Sequence, residues 1–252
     1  MARLTKRQMK EDKFVTGLFK SQEFFNQHRS QILLGIAGFV IVIIVAVLLI
    51  TNSRSAEQAA QNQFGEASMA VREFFNTFEA DRNQDGIPDG SLDSALTILT
   101  NAKAEFEDIL ENHGGSDMAK FATFYLGSIA FKLGDYAEAE NYYKRFLDKY
   151  YISKGFTAAA KMGLAGCKES LRDFEGAGLL YLEIAQEYPD FPQRMEALRK
   201  ATINLARGGL DEEAKLAFNL LEDSEASRSV ISDAREFLYE QNVLNPYTYN
   251  LD

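Results

Sequence analysis

The residues best suited to bind an ion lie between residues 81 and 93, where oxygen-bearing groups recur at short intervals. They stand at positions 1, 3, 5, 7 and 9 and just past position 12, and are Asp81, Asn83, Asp85, the backbone carbonyl of Ile87, Asp89 and Asp93. Ca²⁺ takes about six to eight oxygen ligands, and a glycine at position 6, here Gly86, permits the sharp turn that gathers them. The segment therefore predicts a structural Ca²⁺ site that staples a loop.

This segment resembles the Asp-x-Asn-x-Asp-Gly-Ile-Pro-Asp loops of thrombospondin type 3 and dockerin-like calcium repeats. It departs from the usual loop at the twelfth position, where Leu92 stands in place of an acidic residue and Asp93 follows one residue late. Runs of Asn, Asp and Gly also form ordinary turns between helices. Ca²⁺ binding and a plain turn both remain open from the sequence.

No other group of residues predicts a cofactor or a catalytic site. The chain has one cysteine, Cys167, and two histidines, His28 and His113, which lie far apart in sequence. That composition excludes a disulfide framework and a cysteine-rich metal site. The net charge of −10 argues against a nucleic-acid partner, which usually selects a basic surface. We therefore expect a protein that is not an enzyme.

One segment is apolar enough to cross a membrane. Residues 32–50 contain no polar or charged side chain, and a helix of that length spans roughly the 30 Å core of a bilayer. Seven basic and three acidic side chains precede the segment, while 20 basic and 34 acidic side chains follow it. The positive-inside rule predicts a single-pass protein with a cytoplasmic N-terminus and its acidic part across the membrane.

Residues 1–31 form a predicted cytoplasmic tail in which apolar and basic residues lie beside one another. Phe14, Leu18 and Phe25 fall near one helical face, and Lys13 and Lys20 flank it. Such a face suits a helix lying on anionic lipid, or a contact with a partner protein. We divide the chain into this tail, a transmembrane helix at 32–51, a helical repeat domain at 52–244 and a C-terminal tail at 245–252.

The part of the chain after the membrane segment repeats itself. Alanines recur at intervals of 37, 38 and 37 residues, each followed by an aromatic residue four positions later and an apolar one seven positions later. The alanines are Ala102, Ala139, Ala177 and Ala214. Small, aromatic and apolar residues at this spacing share one helical face that packs closely on a neighbouring helix. The pattern predicts stacked helix pairs.

The clearest copy, residues 121–151, carries Leu126-Gly127, Gly134-Asp135-Tyr136, Ala139 and Tyr143, and the next copy closes with Pro189. These residues resemble the tetratricopeptide repeat. The resemblance implies an α-solenoid, and together with the predicted membrane span it makes the chain all-α, a transmembrane helix followed by the solenoid. We expect Ser227 to Gln241 to form a helix that caps it.

Tetratricopeptide arrays bind protein partners in a concave groove lined by the first helix of each pair. By the phase of the repeat, the groove-facing residues are Phe121, Phe124, Ser128, Phe131, Lys132, Met162, Glu169, Arg199, Lys200, Ile203 and Arg207. An aromatic end and a basic end suit an amphipathic or acidic segment. The phenylalanines are equally consistent with packing between repeats.

Anchor and repeats together resemble the YfgM family of bacterial inner-membrane proteins, on the basis of Phe24-Phe25-Asn26, the Gly35- and Gly38-bearing span, residues 56–64 and the repeats. The resemblance implies a location in the inner membrane with the repeats in the periplasm. It also implies an accessory role at the Sec translocon, beside a membrane-anchored periplasmic chaperone. The alternative is a structural scaffold subunit of an envelope assembly or secretion complex.

Overall fold

A computed structural model of the chain describes residues 29–81 and 91–244. These residues form nine helices and no strand, as the repeat pattern predicts. In chain order the helices are α1 Arg29–Asp81, α2 Ser91–Asn112, α3 Met118–Lys132, α4 Tyr136–Lys149, α5 Lys154–Ser170, α6 Phe174–Glu187, α7 Arg194–Arg207, α8 Asp211–Glu222 and α9 Arg228–Glu240. Residues 1–28 of the predicted N-terminal tail at 1–31, and the whole predicted tail at 245–252, lie outside the described residues.

The chain divides into two compact units, Met1–Ala56 and Glu57–Asp252. In the first unit, the large apolar side chains described between Ile41 and Leu48 are exposed. Among the described residues, one helix is long and apolar enough to cross a membrane, over Ile41–Phe74. Helix α1 continues without a break from the predicted span into the repeat domain that the sequence places after it.

The second unit is a series of helices in which each packs on the next. This order holds from α2 to α9, and α3 also packs on α5. At its start, Val71 and Phe74 of α1 pack with Leu99 and Phe106 of α2 in one apolar core. The pairs α3–α4, α5–α6 and α7–α8 follow, so the first helices of successive pairs lie side by side.

The repeated face predicted from the sequence is buried in every copy. The alanines at its start and the apolar residues at its end are all 2% exposed or less. The aromatic residues between them, Phe106, Tyr143, Tyr181 and Phe218, are also buried. Because alanine leaves room for the neighbouring helix, the aromatic ring one turn later reaches across the contact and fills it.

The turns between the helices of each pair share one hydrogen-bonding pattern. In the first, Asp135 N–H donates to the Ala130 carbonyl and Gly134 N–H donates to the Phe131 carbonyl, which is the Schellman end of a helix. Asp135 then caps α4, because its side chain accepts the backbone N–H of Glu138. Asp135 therefore caps the C-terminus of α3 with its N–H and the N-terminus of α4 with its side chain. Asp173 does the same for α5 and α6.

The middle turn contains a residue that the sequence did not single out. The left-handed position is Gly134 in the first turn and Gly209 in the third, but Arg172 in the second, with a φ of 65°. Left-handed backbone is unfavourable for residues with a Cβ atom and free for glycine. The second pair therefore keeps the turn geometry of its neighbours at an energetic cost.

Replacing Arg172 with glycine is expected to stabilise the chain. Relief of the left-handed strain outweighs the added freedom of glycine in the unfolded chain, so we expect a gain of up to about 1 kcal/mol in the free energy of unfolding. Urea unfolding of the full chain in detergent micelles, followed by circular dichroism, measures it. Gly134→Ala, at the matching turn, should lower the urea midpoint, because it introduces the same strain. A midpoint that moves in the same direction for both variants would contradict backbone strain at Arg172.

The last helix covers the end of the solenoid, as the sequence predicts. Ala234 and Leu238 are buried, and α9 packs on both α7 and α8. Ser227 precedes the helix and its side chain accepts the Val230 backbone N–H, which satisfies one of the free amides of the first turn. After the helix, Val243 and Leu244 are buried against the same core.

Candidate partner-binding groove

A groove runs across the first helices of the repeated pairs. It has a cavity volume of about 600 Å³. Its lining side chains come from α3, α5 and the region around α7, with one tyrosine each from α4 and α6, and they include Phe124, Ser128, Phe131, Tyr143, Met162, Glu169, Tyr181 and Lys200. Helix α5 supplies the largest share, so it forms the floor of the groove.

The groove brings together six of the eleven residues that the sequence assigned to it. These are Phe124, Ser128, Phe131, Met162, Glu169 and Lys200. The other five lie outside this cavity. Phe121 packs against Phe64 and Phe156, Lys132 is exposed at the end of α3, Ile203 is half-buried on α7, Arg199 pairs with Glu196, and Arg207 lies over the rings of Phe174 and Phe237.

The phenylalanines at one end serve packing as well as lining the cavity. The Phe124 ring has its centroid 5.5 Å from that of Phe146 and 5.4 Å from that of Phe156, both in edge-on geometry. It also contacts Tyr125 and Tyr143. Aromatic pairs of this kind contribute about 0.5–1.5 kcal/mol beyond area burial. The aromatic end of the groove is thus held rigid by contacts between neighbouring repeats.

Tyr143 lies between two glycines of the first helices. A Cβ atom built on Gly163 would stand 2.3 Å from the Tyr143 Cζ atom, and one on Gly127 would stand 3.0 Å from the same ring. Only the missing side chains at these two positions allow the helices to close around the ring. The Tyr143 hydroxyl then lies 3.1 Å from the Ser128 Oγ atom, at the edge of the cavity. Burial raises the pKa of Tyr143 to about 12.

A second tyrosine anchors a charged network on the groove floor. The Tyr181 hydroxyl donates to Glu169 Oε2 at 3.0 Å, and the Lys200 ammonium donates to the same oxygen at 2.8 Å. Lys200 also lies over the Tyr181 ring, 5.5 Å from its centroid. Burial alone would raise the pKa of Glu169, but the hydrogen bond and positive charge of Lys200 lower it. The stabilisation that ionised Glu169 contributes is therefore present at neutral pH, and it is lost as the pH falls through the lowered pKa of this carboxyl.

Comparison with known protein families assigns the tetratricopeptide repeat to residues 99–150 and 124–192. This chain contains tetratricopeptide repeats. The two overlapping matches run from within α2 to the segment after α6, and the pair α7–α8 continues the same spacing beyond them. No curated protein matches the chain. Tetratricopeptide repeats bind other proteins through their extended concave surfaces, so protein partners are expected for this chain.

The sequence placed Tyr143 and Tyr181 only in the packing between the tetratricopeptide helices. The structure shows that their hydroxyl groups also reach the groove. A signal for this was present, because the aromatic position is phenylalanine in the outer copies and tyrosine in the two middle ones. Buried tyrosines usually find a hydrogen-bond partner, so a hydroxyl retained at a packing position indicates polar groups nearby.

The predicted Ca²⁺ ligands are not tested by the structure. Asn83, Asp85, Ile87 and Asp89 lie outside the described residues, while Asp81 ends α1 and Asp93 is exposed in the first turn of α2. Among residues 29–81 and 91–244, no three His, Cys, Asp or Glu side chains are grouped closely enough to hold a metal ion. The Ca²⁺ site therefore stays a prediction about the segment between α1 and α2.

Cys167, the cysteine of the chain, is buried on α5. Burial raises the pKa of its thiol to about 12, so the thiol stays protonated at neutral pH. A protonated thiol is a poor nucleophile and a poor metal ligand. The side chain acts as a small apolar filler between α4 and α5.

Proposed function

We propose that this protein is a membrane-anchored adaptor whose tetratricopeptide groove binds a segment of a partner protein in the periplasm. Residues 32–51 hold it in the inner membrane with the N-terminus in the cytoplasm. Its role is that of an accessory subunit of the Sec translocon, working beside a membrane-anchored periplasmic chaperone. It performs no catalytic step of its own.

The groove is the observation that carries the proposal. Apolar and aromatic side chains make up much of its wall, and the polar groups converge at the Glu169–Lys200 pair. A preformed cavity of this kind binds a partner side chain without the entropic cost of first ordering the site. The rings that line it are fixed by contacts between repeats, which favours a rigid receptor over an adaptable one.

Two features support the location. The apolar side chains between Ile41 and Leu48 are exposed along α1, which suits a helix surrounded by lipid. The basic tail before them favours a cytoplasmic N-terminus. The assignment to the translocon rests on the resemblance to the YfgM family alone.

Recovery of partners with groove variants tests the binding role. Full-length wild-type protein, Met162→Glu and Leu179→Glu are purified in mild detergent, and the proteins recovered with each are measured by mass spectrometry. Met162 lines the groove, whereas Leu179 is 43% exposed on a second helix and is the matched control. Losing a contact of hot-spot strength should lower recovery of a direct partner by about tenfold for Met162→Glu only.

The identity of the recovered proteins separates the two candidate roles. Translocon and chaperone subunits that depend on Met162 support the accessory role. A large envelope complex that is recovered equally with both variants favours the scaffold role and contradicts binding through the groove.

The Ca²⁺ hypothesis makes a separate prediction. Extracytoplasmic sites bind Ca²⁺ with a Kd on the order of 10⁻⁴ to 10⁻³ M, so millimolar Ca²⁺ should raise the melting temperature of the full chain. Asp85→Asn with Asp89→Asn should abolish the rise, while Mg²⁺ at the same concentration should not reproduce it. An unchanged melting temperature in Ca²⁺ would leave the segment as an ordinary turn.

A further inference from the structure

Charge is divided between the two kinds of helix in the solenoid. The first helices α3, α5 and α7 carry nine basic and two acidic side chains, whereas the second helices α2, α4, α6 and α8 carry five basic and fifteen acidic ones. The chain as a whole is acidic, with a net charge of −10. The positive charge of the solenoid is therefore concentrated on the helices that line the groove.

Most of these cations are already neutralised by carboxylates of the chain. Lys161 pairs with Glu183 and Glu187 of α6, and its pKa is raised: burial alone would lower it, but the hydrogen bonds to the two carboxylates outweigh that effect. Lys200 pairs with Glu169 in the groove. The remaining close pairs on the first helices are Lys120–Asp117, Lys168–Asp173 and Arg199–Glu196. Lys161 and Lys200 thereby join neighbouring helices, and all five paired cations leave little charge for a partner.

Arg207, the last residue of α7, is held differently. Its guanidinium lies over two rings, 5.7 Å from the centroid of Phe174 and 5.3 Å from that of Phe237. Among the described residues, no carboxylate comes within ion-pair distance of it, and its side chain is exposed. Contact with two rings limits the freedom of the side chain while leaving its N–H donors unpaired, so the guanidinium is preorganised to receive an anion.

We propose that Arg207 receives a side-chain carboxylate of an acidic partner segment that lies along the groove. This inference rests on the proposed function, because it names the partner chemistry of that groove. Lys200 and Arg207 are two helical turns apart, so they share one face of α7 and lie about 10 Å apart along its axis. A segment whose apolar side chain enters the cavity beside Lys200 can therefore extend its next acidic side chain to Arg207.

An acidic segment fits the charge of Arg207 better than a neutral or basic one. A basic partner would be repelled by the guanidinium of Arg207, which no carboxylate of the described residues neutralises, and a neutral partner would gain no charge-assisted bond from it. A carboxylate can instead accept two parallel N–H bonds from the guanidinium. The acidic second helices repel such a segment from the opposite face, which favours the groove.

Peptide selection tests the proposal. Full-length protein in neutral detergent micelles is used to select from a random peptide library displayed on phage, in parallel with Arg207→Gln and Arg145→Gln. Arg145 is exposed on the second helix α4, so its substitution removes the same charge away from the groove. We expect wild type and Arg145→Gln to select peptides that combine apolar residues with Asp or Glu, and Arg207→Gln to lose the enrichment in Asp and Glu.

Individual selected peptides give the size of the effect. Losing a charge-assisted pair should raise the Kd of an acidic peptide roughly 10-fold to 100-fold in Arg207→Gln and weaken its dependence on salt. Arg207→Lys keeps the charge without the planar fork, so it should restore part of the affinity. A change in melting temperature that accompanies unaltered peptide selection would show that Arg207 only stabilises the fold, and would overturn the proposal.

The outcomes separate this inference from the proposed function. Groove-dependent peptides without enrichment in Asp or Glu would overturn the inference and leave partner binding intact. If no variant selects any peptide, or if Met162→Glu selects the same peptides as the wild type, partner binding through the groove is contradicted, and the inference about Arg207 falls with it. If Arg207→Gln instead weakens binding of phosphatidylglycerol added to the micelles and leaves peptide selection unchanged, the site is one for lipid and the proposal is wrong.

Discussion

Gly163→Ala is expected to destabilise the protein by about 3 kcal/mol, at the upper end of the range for overpacked cores. The new Cβ atom would stand 2.3 Å from the ring of Tyr143. The ring cannot move away, because Gly127 of α3 lies against its other edge. The contact there is already close, since even a Cβ atom built on Gly127 would stand only 3.0 Å from the ring. The helices α3 and α5 must therefore separate, which breaks the contact between two repeats.

The urea midpoint of the full chain in micelles measures this effect, and two variants calibrate it. Gly127→Ala meets the same ring at a longer distance and should cost less. Gly65→Ala lies in α1 with nothing within 4 Å of its new Cβ atom, so helix propensity alone should raise stability by up to about 1 kcal/mol.

A double substitution identifies the ring as the cause. Tyr143→Leu removes the atoms that the new methyl group meets, so Gly163→Ala should cost far less in that background than in the wild type. Additive effects in the double variant would show that the clash lies elsewhere. Partner recovery should fall with Gly163→Ala, because the Tyr143 hydroxyl and Ser128 would lose their positions at the groove.

Acidic substitutions in the apolar part of α1 should abolish membrane anchoring. Ile41→Asp with Ile44→Asp places two carboxylates near the middle of the predicted span, each costing about 2.5–3.5 kcal/mol of insertion free energy. We expect the chain to move from the membrane fraction to the soluble fraction after alkaline extraction.

The matched control adds the same charge to α1 outside the predicted span at 32–51. Gln58→Asp with Asn62→Asp adds two carboxylates at exposed positions of the same helix and should leave the chain in the membrane. Protease added to spheroplasts should digest the acidic domain of the wild type, in keeping with a cytoplasmic N-terminus. A double Ile variant that stays in the membrane fraction would contradict anchoring by this segment.

Spacing in the sequence was enough to predict the repeat architecture. Alanine, aromatic and apolar residues recur at one helical face, and burying such faces against one another allows few arrangements other than stacked pairs. The same reasoning placed the last helix at Ser227 to Gln241, where Ser227 caps a helix over Arg228–Glu240. These features depend on contacts close in sequence or on a strict period, which a single sequence displays directly.

The groove was predicted only in part for a physical reason. Repeat phase identifies which side of a helix faces inward, but it does not say whether a side chain is already engaged by a neighbour. Phe121 packs against the rings of Phe64 and Phe156, and Arg199 forms an ion pair with Glu196. The left-handed backbone of Arg172 was missed for a related reason, because the period of the repeat outweighs the preference of one residue.

By itself, the sequence determined an all-helical solenoid of tetratricopeptide pairs and its cap, because these follow from local hydrogen bonding and periodic burial. Tertiary structure decided which side chains remain available to a partner. The Tyr181–Glu169–Lys200 network joins residues 12 and 31 positions apart, and Arg207 is held by rings from α6 and α9. Such contacts depend on how neighbouring pairs stack, which no spacing within one helix can specify.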